Sequence, residues 1–189
     1  MRCMMCEAFS LSHLCKACLN RLEPRLYTSY LDDATRVLSF YNYSDIETLL
    51  LSKHTDVGYY IYSLLGENTF KVFGDAFEFE ERVASISVDD RPIHGYSHTA
   101  LLNRALKSKS IKPHYGILRS RNNVRYAGAS LVFRKAHPRN FTCKPFDAEY
   151  VIVVDDIITT GTTLEEAVAR LKKEGKNVLF CLTLAYVKR

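Results

Sequence analysis

The stretch that decides the fold class is Val151-Ile-Val-Val-Asp155-Asp156-Ile-Ile-Thr159-Thr160-Gly161-Thr162-Thr163. It begins in an apolar run, residues 149–154, that ends in two carboxylates, and such runs are typical of buried strands in parallel sheets. Residues 162–174 have helical spacing with Gly175 as the expected C-cap, and residues 178–187 predict the next strand. Strands that alternate with helices indicate an α/β domain with a mainly parallel sheet flanked by helices.

The turn after this predicted strand has the composition of an anion site. Backbone N–H groups at a helix N-terminus, together with the helix dipole, favour a phosphate. Gly161 permits a turn with positive φ, and the hydroxyl donors around it are Thr159, Thr160, Thr162 and Thr163. In the alternative interpretation Thr162 or Thr163 is only a helix cap. That alternative leaves unexplained why Asp155 and Asp156 end an apolar strand.

Further elements are predicted upstream from apolar periodicity and turn residues. We expect strands at residues 27–31, 36–41 and 82–88. We expect helices at residues 45–51, 57–65 and 98–106, with Ser44 as the cap of the first and residues 52–55 as a polar loop after it. Pro24 marks the boundary between a small N-terminal segment, residues 1–24, and the α/β domain, residues 25–189.

Four of the six cysteines lie in the first 18 residues and form the pattern C-x2-C-x8-C-x2-C. They are Cys3, Cys6, Cys15 and Cys18. Each C-x2-C turn offers two thiolates to one ion, so the four sulfurs predict a structural zinc site with no open position for hydrolytic chemistry. A disulfide framework is the competing interpretation, and the lack of a secretory signal disfavours it. Cys143 and Cys181 are expected to be small buried apolar residues.

Charge is segregated along the chain. Residues 91–146 hold 12 Lys or Arg and no Asp or Glu. The other residues carry a net charge of −7, and the whole chain therefore has a net charge of +5. Such a block repels itself unless anions lie near it, and it is the usual electrostatic footprint of a polyanion site. The candidate nucleic-acid contacts are Arg119, Arg121, Arg125, Arg134, Lys135 and Arg139.

Aromatic residues are interleaved with this basic block. They are Tyr96, Tyr115, Tyr126, Phe133, Phe141 and Phe146. Exposed rings beside Arg and Lys suit a nucleic-acid single strand, because bases stack on rings while cations follow the backbone. The alternative is a solvated basic surface whose rings pack in the core.

The remaining composition is that of an ordinary folded domain. The 189 residues are 47% apolar and 25% charged, which matches the globular average and argues against wholesale disorder. The longest apolar runs are far shorter than the roughly 18–20 residues that a membrane helix needs. The first 30 residues lack the long apolar segment of a secretory signal. We therefore expect a cytoplasmic protein without membrane insertion.

The stretch 151–163 resembles the motif that binds phosphoribosyl diphosphate (PRPP) in type I phosphoribosyltransferases. In that family two acidic residues contact the ribose hydroxyls and the turn holds the 5′-phosphate. The resemblance implies that Asp155 and Asp156 bind ribose and that Mg²⁺ accompanies PRPP. It also implies a phosphate site made by Thr159, Thr160, Gly161, Thr162 and Thr163.

A four-cysteine knuckle fused to such a domain resembles the ComF (ComFC) family of bacterial competence proteins, over nearly the whole chain. His94-Gly95-Tyr96-Ser97-His98 stands where that family has an Arg-Gly-Phe-Asn-Gln-like segment. Ser52-Lys53-His54 stands at the family's pyrophosphate-loop lysine, which makes Lys53 the candidate catalytic residue, and no general base is identified. The family is associated with taking single-stranded DNA through the cytoplasm in natural transformation.

Three functions are compatible with these observations. The first is a competence protein that handles single-stranded DNA, binds PRPP or a related phosphoribosyl ligand, and has other competence or DNA-processing proteins as candidate partners. The second is an active phosphoribosyltransferase that acts on a nucleobase or related acceptor. The third is a zinc-ribbon adaptor with a vestigial phosphoribosyl site. The resemblance in fold does not decide among them, because one fold hosts many functions.

Overall fold

The computed structural model describes residues 1–88, 92, 95–122, 133 and 136–188. Within them, seven strands form one sheet in the order β1-β2-β7-β6-β3-β4-β5. The strands are β1 (Tyr27–Tyr30), β2 (Arg36–Asn42), β3 (Val83–Val88), β4 (Ile111–Arg119), β5 (Thr142–Cys143), β6 (Tyr150–Ile158) and β7 (Asn177–Tyr186). The pairs from β2 to β4 are parallel, and the edge strands β1 and β5 are antiparallel to their neighbours. The predicted α/β class with a mainly parallel sheet is confirmed.

Helices cover both faces of this sheet. They are α1 (Lys16–Arg21), α2 (Tyr43–Leu50), α3 (Asp56–Gly66), α4 (Val72–Ala76), α5 (His98–Ala105) and α6 (Thr162–Lys173). The polar loop expected after α2 is a 3-10 turn, Leu51–His54, and a π-helical turn, Glu67–Lys71, joins α3 to α4. The prediction that Ser44 caps α2 is wrong, because the side chain of Asn42 accepts the N–H of Ser44. No helix in the described ranges has the length and apolar character needed to cross a membrane.

The alternation of side chains along β6 divides the core into two clusters. Ile152 and Val154 pack into a cluster with residues of α2, α3 and α5. Val151 and Val153 pack into a second cluster with residues of α6. Because successive side chains of a strand point to opposite faces, this central strand is apolar on both sides, as its continuous apolar sequence predicts.

The N-terminal cysteine segment packs onto the same core as the sheet. Cys3, Leu14, Cys18 and Leu22 are buried in the cluster that also contains Phe40 of β2. The conformation of the first 22 residues is therefore linked to the packing of the α/β core.

The strand order creates a crevice beside β6. From β3 the chain passes through α5 to β4 on one side of the sheet, and from β6 it passes through α6 to β7 on the other. Since β3 and β6 are neighbours, the connections diverge between them. Ligands of open α/β sheets bind at the carboxyl ends of the strands at such a point.

The buried amide of Asn103 fastens α5 to this part of the sheet. Its Nδ2 donates to Ser85 O at 3.2 Å and to His114 O at 2.9 Å. Asn103→Ala leaves both carbonyl oxygens without this donor, so we expect a loss of about 2 kcal/mol or more in the free energy of unfolding, measured by urea titration. Asn177→Ala removes an exposed hydrogen bond to Glu149 and is the matched control. We expect it to change the free energy of unfolding by about 0.5 kcal/mol or less. Equal losses in both variants would contradict this role.

Candidate functional site

Two carboxylates lie at the carboxyl end of β6. The strand runs to Ile158, four residues beyond the predicted end, so that Asp155 and Asp156 lie within it. Their side chains therefore point to opposite faces of the sheet. Asp156 faces the side of α3 and α5, where it contacts Lys53 and His98, and Asp155 faces the side of α6.

Asp156 is buried, with 7% of its surface exposed, and is surrounded by donors. Its Oδ2 accepts from Lys53 Nζ at 2.9 Å and lies 3.3 Å from His98 Nε2. Its Oδ1 accepts from the N–H of Ile157 at 2.9 Å. Burial by itself would raise the pKa of Asp156, but Lys53 and His98 lower it below its usual range. Asp156 is therefore ionised at neutral pH.

Lys53 completes this ion pair. The charge of Asp156 raises the pKa of Lys53, against the opposing effect of burial. The ammonium is thus held in its charged form beside the carboxylate, and the structure places Lys53, the candidate pyrophosphate-loop lysine, next to Asp156.

Asp155 has the opposite protonation preference. Burial, followed by the adjacent charge of Asp156, raises the pKa of Asp155 to about 8. The charge of Arg139 opposes this shift and lowers the pKa of Asp155. Arg139 was expected among the nucleic-acid contacts, and it also influences the carboxylate pair.

The turn that carries Lys53 is fixed by Tyr96. The Tyr96 hydroxyl donates to Lys53 O at 2.7 Å, and Thr55 O is a second acceptor at 3.2 Å. This approach requires Gly58, because a Cβ at that position would lie 2.1 Å from Ser52 O and 2.2 Å from Tyr96 Oη. Local sequence patterns do not predict this contact, because 43 residues separate Tyr96 from Lys53.

His98 reaches Asp156 from the first residue of α5. Ser97 caps this helix by accepting the N–H of Ala100 at 3.1 Å. The imidazole ring packs against Tyr62, with ring centroids 5.4 Å apart, and against His54 at 6.0 Å. Sequence analysis did not assign His98 to the site, and its place in the segment 94–98 was the only indication. His94, in the same segment, lies outside the described residues.

The predicted phosphate turn begins α6 without a side-chain cap. The N-cap residue is Gly161, with φ +85°, so the alternative in which Thr162 or Thr163 caps the helix is wrong. A Cβ on Gly161 would lie 3.3 Å from Leu31 Cδ2, in addition to the strain of positive φ. The flanking hydroxyls are partly buried, and Thr160 Oγ1 lies 3.1 Å from Thr162 Oγ1. The first backbone N–H groups of α6 lack intrahelical acceptors, and they lie beside these hydroxyls.

Three of the predicted nucleic-acid contacts lie on one stem beside α6. The N–H of Arg121 donates to Arg139 O at 3.1 Å, and Thr142 Oγ1 donates to Arg119 O at 3.1 Å. This stem and α6 line a cavity of about 700 Å³ that includes Arg121 and Lys173. The remaining candidates, Arg125, Arg134 and Lys135, lie outside the described residues.

The aromatic residues of the basic block do not form one set. Tyr115 and Phe133 are exposed, whereas Phe141 is buried in the core. Phe146 lies under Lys176, whose Nζ is 4.4 Å from the ring centroid. Tyr126 lies outside the described residues. Among the described residues, Tyr115 and Phe133 are therefore exposed as stacking on bases requires, and Phe141 is not.

The four N-terminal cysteines form a compact sulfur cluster. Cys3, Cys6, Cys15 and Cys18 have all their Sγ atoms within 4.8 Å of one another. Zinc bound at about 2.3 Å by four sulfurs places them about 3.8 Å apart, and Cys6 Sγ and Cys15 Sγ are 3.7 Å apart. Backbone N–H groups donate to Cys3 Sγ and Cys15 Sγ. The donor set and its dimensions therefore fit a tetrahedral zinc ion. Of the other two cysteines, Cys181 is buried as expected and Cys143 is partly exposed.

A comparison with protein families matches the part of the chain that carries the carboxylate pair and the glycine turn. The family described as phosphoribosyl transferase domain matches residues 146–189, which contain β6, α6 and β7. Orotate phosphoribosyltransferase of Coccidioides immitis (strain RS) is 37% identical over 65 residues, which cover 33% of this chain and 27% of that protein. The chain thus matches about a quarter of the length of this curated relative. The strand–turn–helix–strand unit is therefore similar to the phosphoribosyl transferase domain.

Two solved structures are also matched, each with a TM-score of 0.40 or less. Orotate phosphoribosyltransferase from Aeropyrum pernix has a TM-score of 0.39 and 19% identity, covering 90% of this chain and 80% of that chain. Leishmania donovani UMP synthase has a TM-score of 0.40 and 16% identity, covering 90% of this chain and 30% of that chain.

Removing one thiolate tests the metal site. Cys3→Ser is expected to lose zinc and to lower the melting temperature, because Cys3 also belongs to the core and metal binding contributes folding energy to such knuckles. Elemental analysis and thermal unfolding measure the two effects. Cys143→Ser is the matched control and is expected to retain zinc. A wild-type protein that contains no zinc and is unaffected by chelation would contradict the assignment.

The raised pKa of Asp155 predicts a specific pH dependence of stability. The folded protein retains this proton up to about pH 8, whereas the unfolded chain releases it near the ordinary value of 3.8. The contribution of Asp155 to stability therefore falls as pH rises through this window. Asp155→Asn has no carboxyl group that must keep its proton on folding. The free energy of unfolding of this variant, measured by urea titration, should therefore rise relative to that of the wild type from pH 5 to pH 8. The exposed Asp147 provides a control, Asp147→Asn, and a pH-independent difference for Asp155→Asn would contradict the prediction.

Proposed function

We propose that this protein binds PRPP, together with Mg²⁺, at the carboxyl edge of the sheet between β3 and β6. The observation that carries this proposal is that carboxylates, a glycine turn and a helix N-terminus follow one another along one strand–turn–helix unit. A carboxylate pair at the end of β6 is followed by a glycine turn and the N-terminus of α6, and this unit matches the phosphoribosyl transferase domain. A sugar phosphate needs both kinds of group, because its hydroxyls donate to carboxylates and its phosphate accepts from N–H groups.

The roles of the individual residues follow from their chemistry. Asp156 is ionised and accepts from a ribose hydroxyl, while Asp155, protonated at neutral pH, donates to one. The N-terminal N–H groups of α6 and the hydroxyls of residues 159–163 hold the 5′-phosphate. Lys53 and Mg²⁺ balance the charge of the diphosphate, for which an ammonium is a suitable point charge. This arrangement gives every charged part of PRPP a partner.

We further propose that the protein is a ComF-type competence protein that handles single-stranded DNA in the cytoplasm. Arg119 and Arg121 support this proposal, because both lie on the stem that borders the cavity beside α6. The exposed ring of Tyr115 belongs to the same basic block. A flexible polyanion suits such a surface, since cations track its backbone and rings stack on its bases.

An active phosphoribosyltransferase is the second candidate, and the match to an orotate phosphoribosyltransferase favours it. In that case pyrophosphate leaves C1 of the ribose as an acceptor attacks, and Lys53 stabilises the charge on the leaving group. Release of pyrophosphate from PRPP in the presence of an acceptor would establish this function. We do not favour the vestigial-site hypothesis, because Asp156, Lys53 and the Gly161 turn are all present with defined geometry.

PRPP binding is tested by calorimetry with Mg²⁺ at neutral pH. Asp156→Asn is expected to weaken binding about tenfold or more, because a hydrogen bond to a charged group contributes about 1.5–3 kcal/mol. Asp75→Asn removes the same charge from an exposed ion pair with Lys71 and should leave the affinity unchanged. Absence of PRPP binding by the wild type, or equal affinities of wild type and Asp156→Asn, would overturn the proposal.

DNA binding is tested by fluorescence anisotropy of a labelled oligo-dT strand over a series of salt concentrations. Each phosphate contact that is lost should reduce the salt slope by about 0.7, so Arg119→Gln combined with Arg121→Gln should reduce it by roughly twice that amount. Arg25→Gln and Lys71→Gln together form a control with the same loss of charge at exposed positions. A slope that is unchanged in the double variant would exclude these two arginines as contacts.

A further inference from the structure

The acceptor oxygens of Asp156 are already engaged by the protein. Oδ2 holds both Lys53 Nζ and His98 Nε2, and Oδ1 holds the N–H of Ile157. Because a carboxylate oxygen accepts about two hydrogen bonds, a ribose hydroxyl that binds Oδ2 competes with Lys53 or His98 for that oxygen. Binding of ribose at Oδ2 therefore requires one of these two basic side chains to move.

Lys53 is the partner that can move. Its side chain is 28% exposed and has four rotatable carbons between the ammonium and the backbone. Its backbone is held in place by the hydroxyl of Tyr96. The ammonium can thus change position while the 3-10 turn stays where it is.

His98 makes this movement less costly. A buried carboxylate that loses its only cation is strongly destabilised, but Asp156 has a second basic partner in His98. The imidazole packs against Tyr62 and against His54, and His98 starts a helix that Ser97 caps. His98 is therefore a positioning residue that keeps Asp156 partnered when Lys53 leaves.

We propose that Lys53 is a shared cation that transfers from Asp156 to the diphosphate of the bound ligand, so that the ribose position becomes available to ligands that carry a diphosphate. This inference rests on the proposed binding of PRPP. The diphosphate attracts the ammonium, and the carboxylate that it leaves accepts the ribose hydroxyl. The ion pair thereby selects PRPP over ribose 5-phosphate, which offers Lys53 no second anion at that position.

The exchange couples the diphosphate position to the ribose position. When separate ligands occupy the two positions, each changes the affinity for the other by the same factor. Pyrophosphate should increase the affinity for ribose 5-phosphate, and ribose 5-phosphate should increase the affinity for pyrophosphate by the same factor. Coupling between sites is typically about 5–150-fold, so an effect of about fivefold or more is expected.

The test is calorimetry of ribose 5-phosphate and of Mg²⁺-pyrophosphate, each alone and in the presence of the other. Lys53→Met should weaken binding of pyrophosphate, strengthen binding of ribose 5-phosphate alone, and abolish the coupling. A lysine that acts only as a positive charge would, when removed, weaken binding of both anions. The two ligands therefore separate the shared-cation role from simple charge attraction.

Two further variants complete the design. Lys53→Arg retains a cation and should retain part of the coupling. This variant also provides a measurement if the methionine variant does not fold. Lys71→Met removes an exposed lysine paired with Asp75 and should behave as wild type. PRPP titration of the wild type is run in parallel.

The outcomes are distinguishable. If the wild type binds PRPP but Lys53→Met binds both small anions more weakly, or keeps the coupling, the shared-cation inference is overturned while the proposed function stands. If the wild type does not bind PRPP, the proposed function and this inference both fail.

Discussion

The ion pair between Asp156 and Lys53 is the interaction on which the candidate site depends. A carboxylate buried at the end of an apolar strand is costly to ionise unless cations and hydrogen-bond donors surround it. Three elements supply them: β6 carries the carboxylate, the 3-10 turn carries Lys53, and α5 carries His98. Tyr96 connects two of these elements, since it lies next to the start of α5 and donates to the carbonyl of Lys53.

The alternation of β6 gives the adjacent carboxylates different environments. Asp156 faces two basic side chains and stays ionised, whereas Asp155 faces the α6 side, where burial raises its pKa to about 8. Two carboxylates that were both ionised would repel each other. Their separation onto opposite faces therefore provides one acceptor and one donor at the same edge of the sheet, beside the N-terminus of α6.

The fold and the two main motifs could be predicted from sequence because they are local. The apolar run of β6, the glycine at the start of α6 and the paired cysteines act over a few residues. The structure has a strand, a helix start and a sulfur cluster at these places, although β6 continues four residues beyond its predicted end. The cap of α2 was predicted wrongly because Asn42 and Ser44 are both good capping residues two positions apart. The local sequence patterns did not predict β4 or α4.

The surroundings of Asp156 could not be predicted in full because they depend on contacts between distant segments. Lys53 was found only through a family resemblance, and 103 residues separate it from Asp156. The contact of His98 depends on how α5 docks, and the role of Tyr96 depends on the space left by Gly58. Single-sequence periodicity carries no information on such pairs.

The most direct test of this account is a crystal structure of the protein with PRPP and Mg²⁺. We expect the 5′-phosphate at the Gly161 turn, the ribose hydroxyls on Asp155 and Asp156, and Lys53 Nζ on the diphosphate instead of on Asp156. PRPP bound elsewhere, or bound here while Lys53 remains on Asp156, would contradict it.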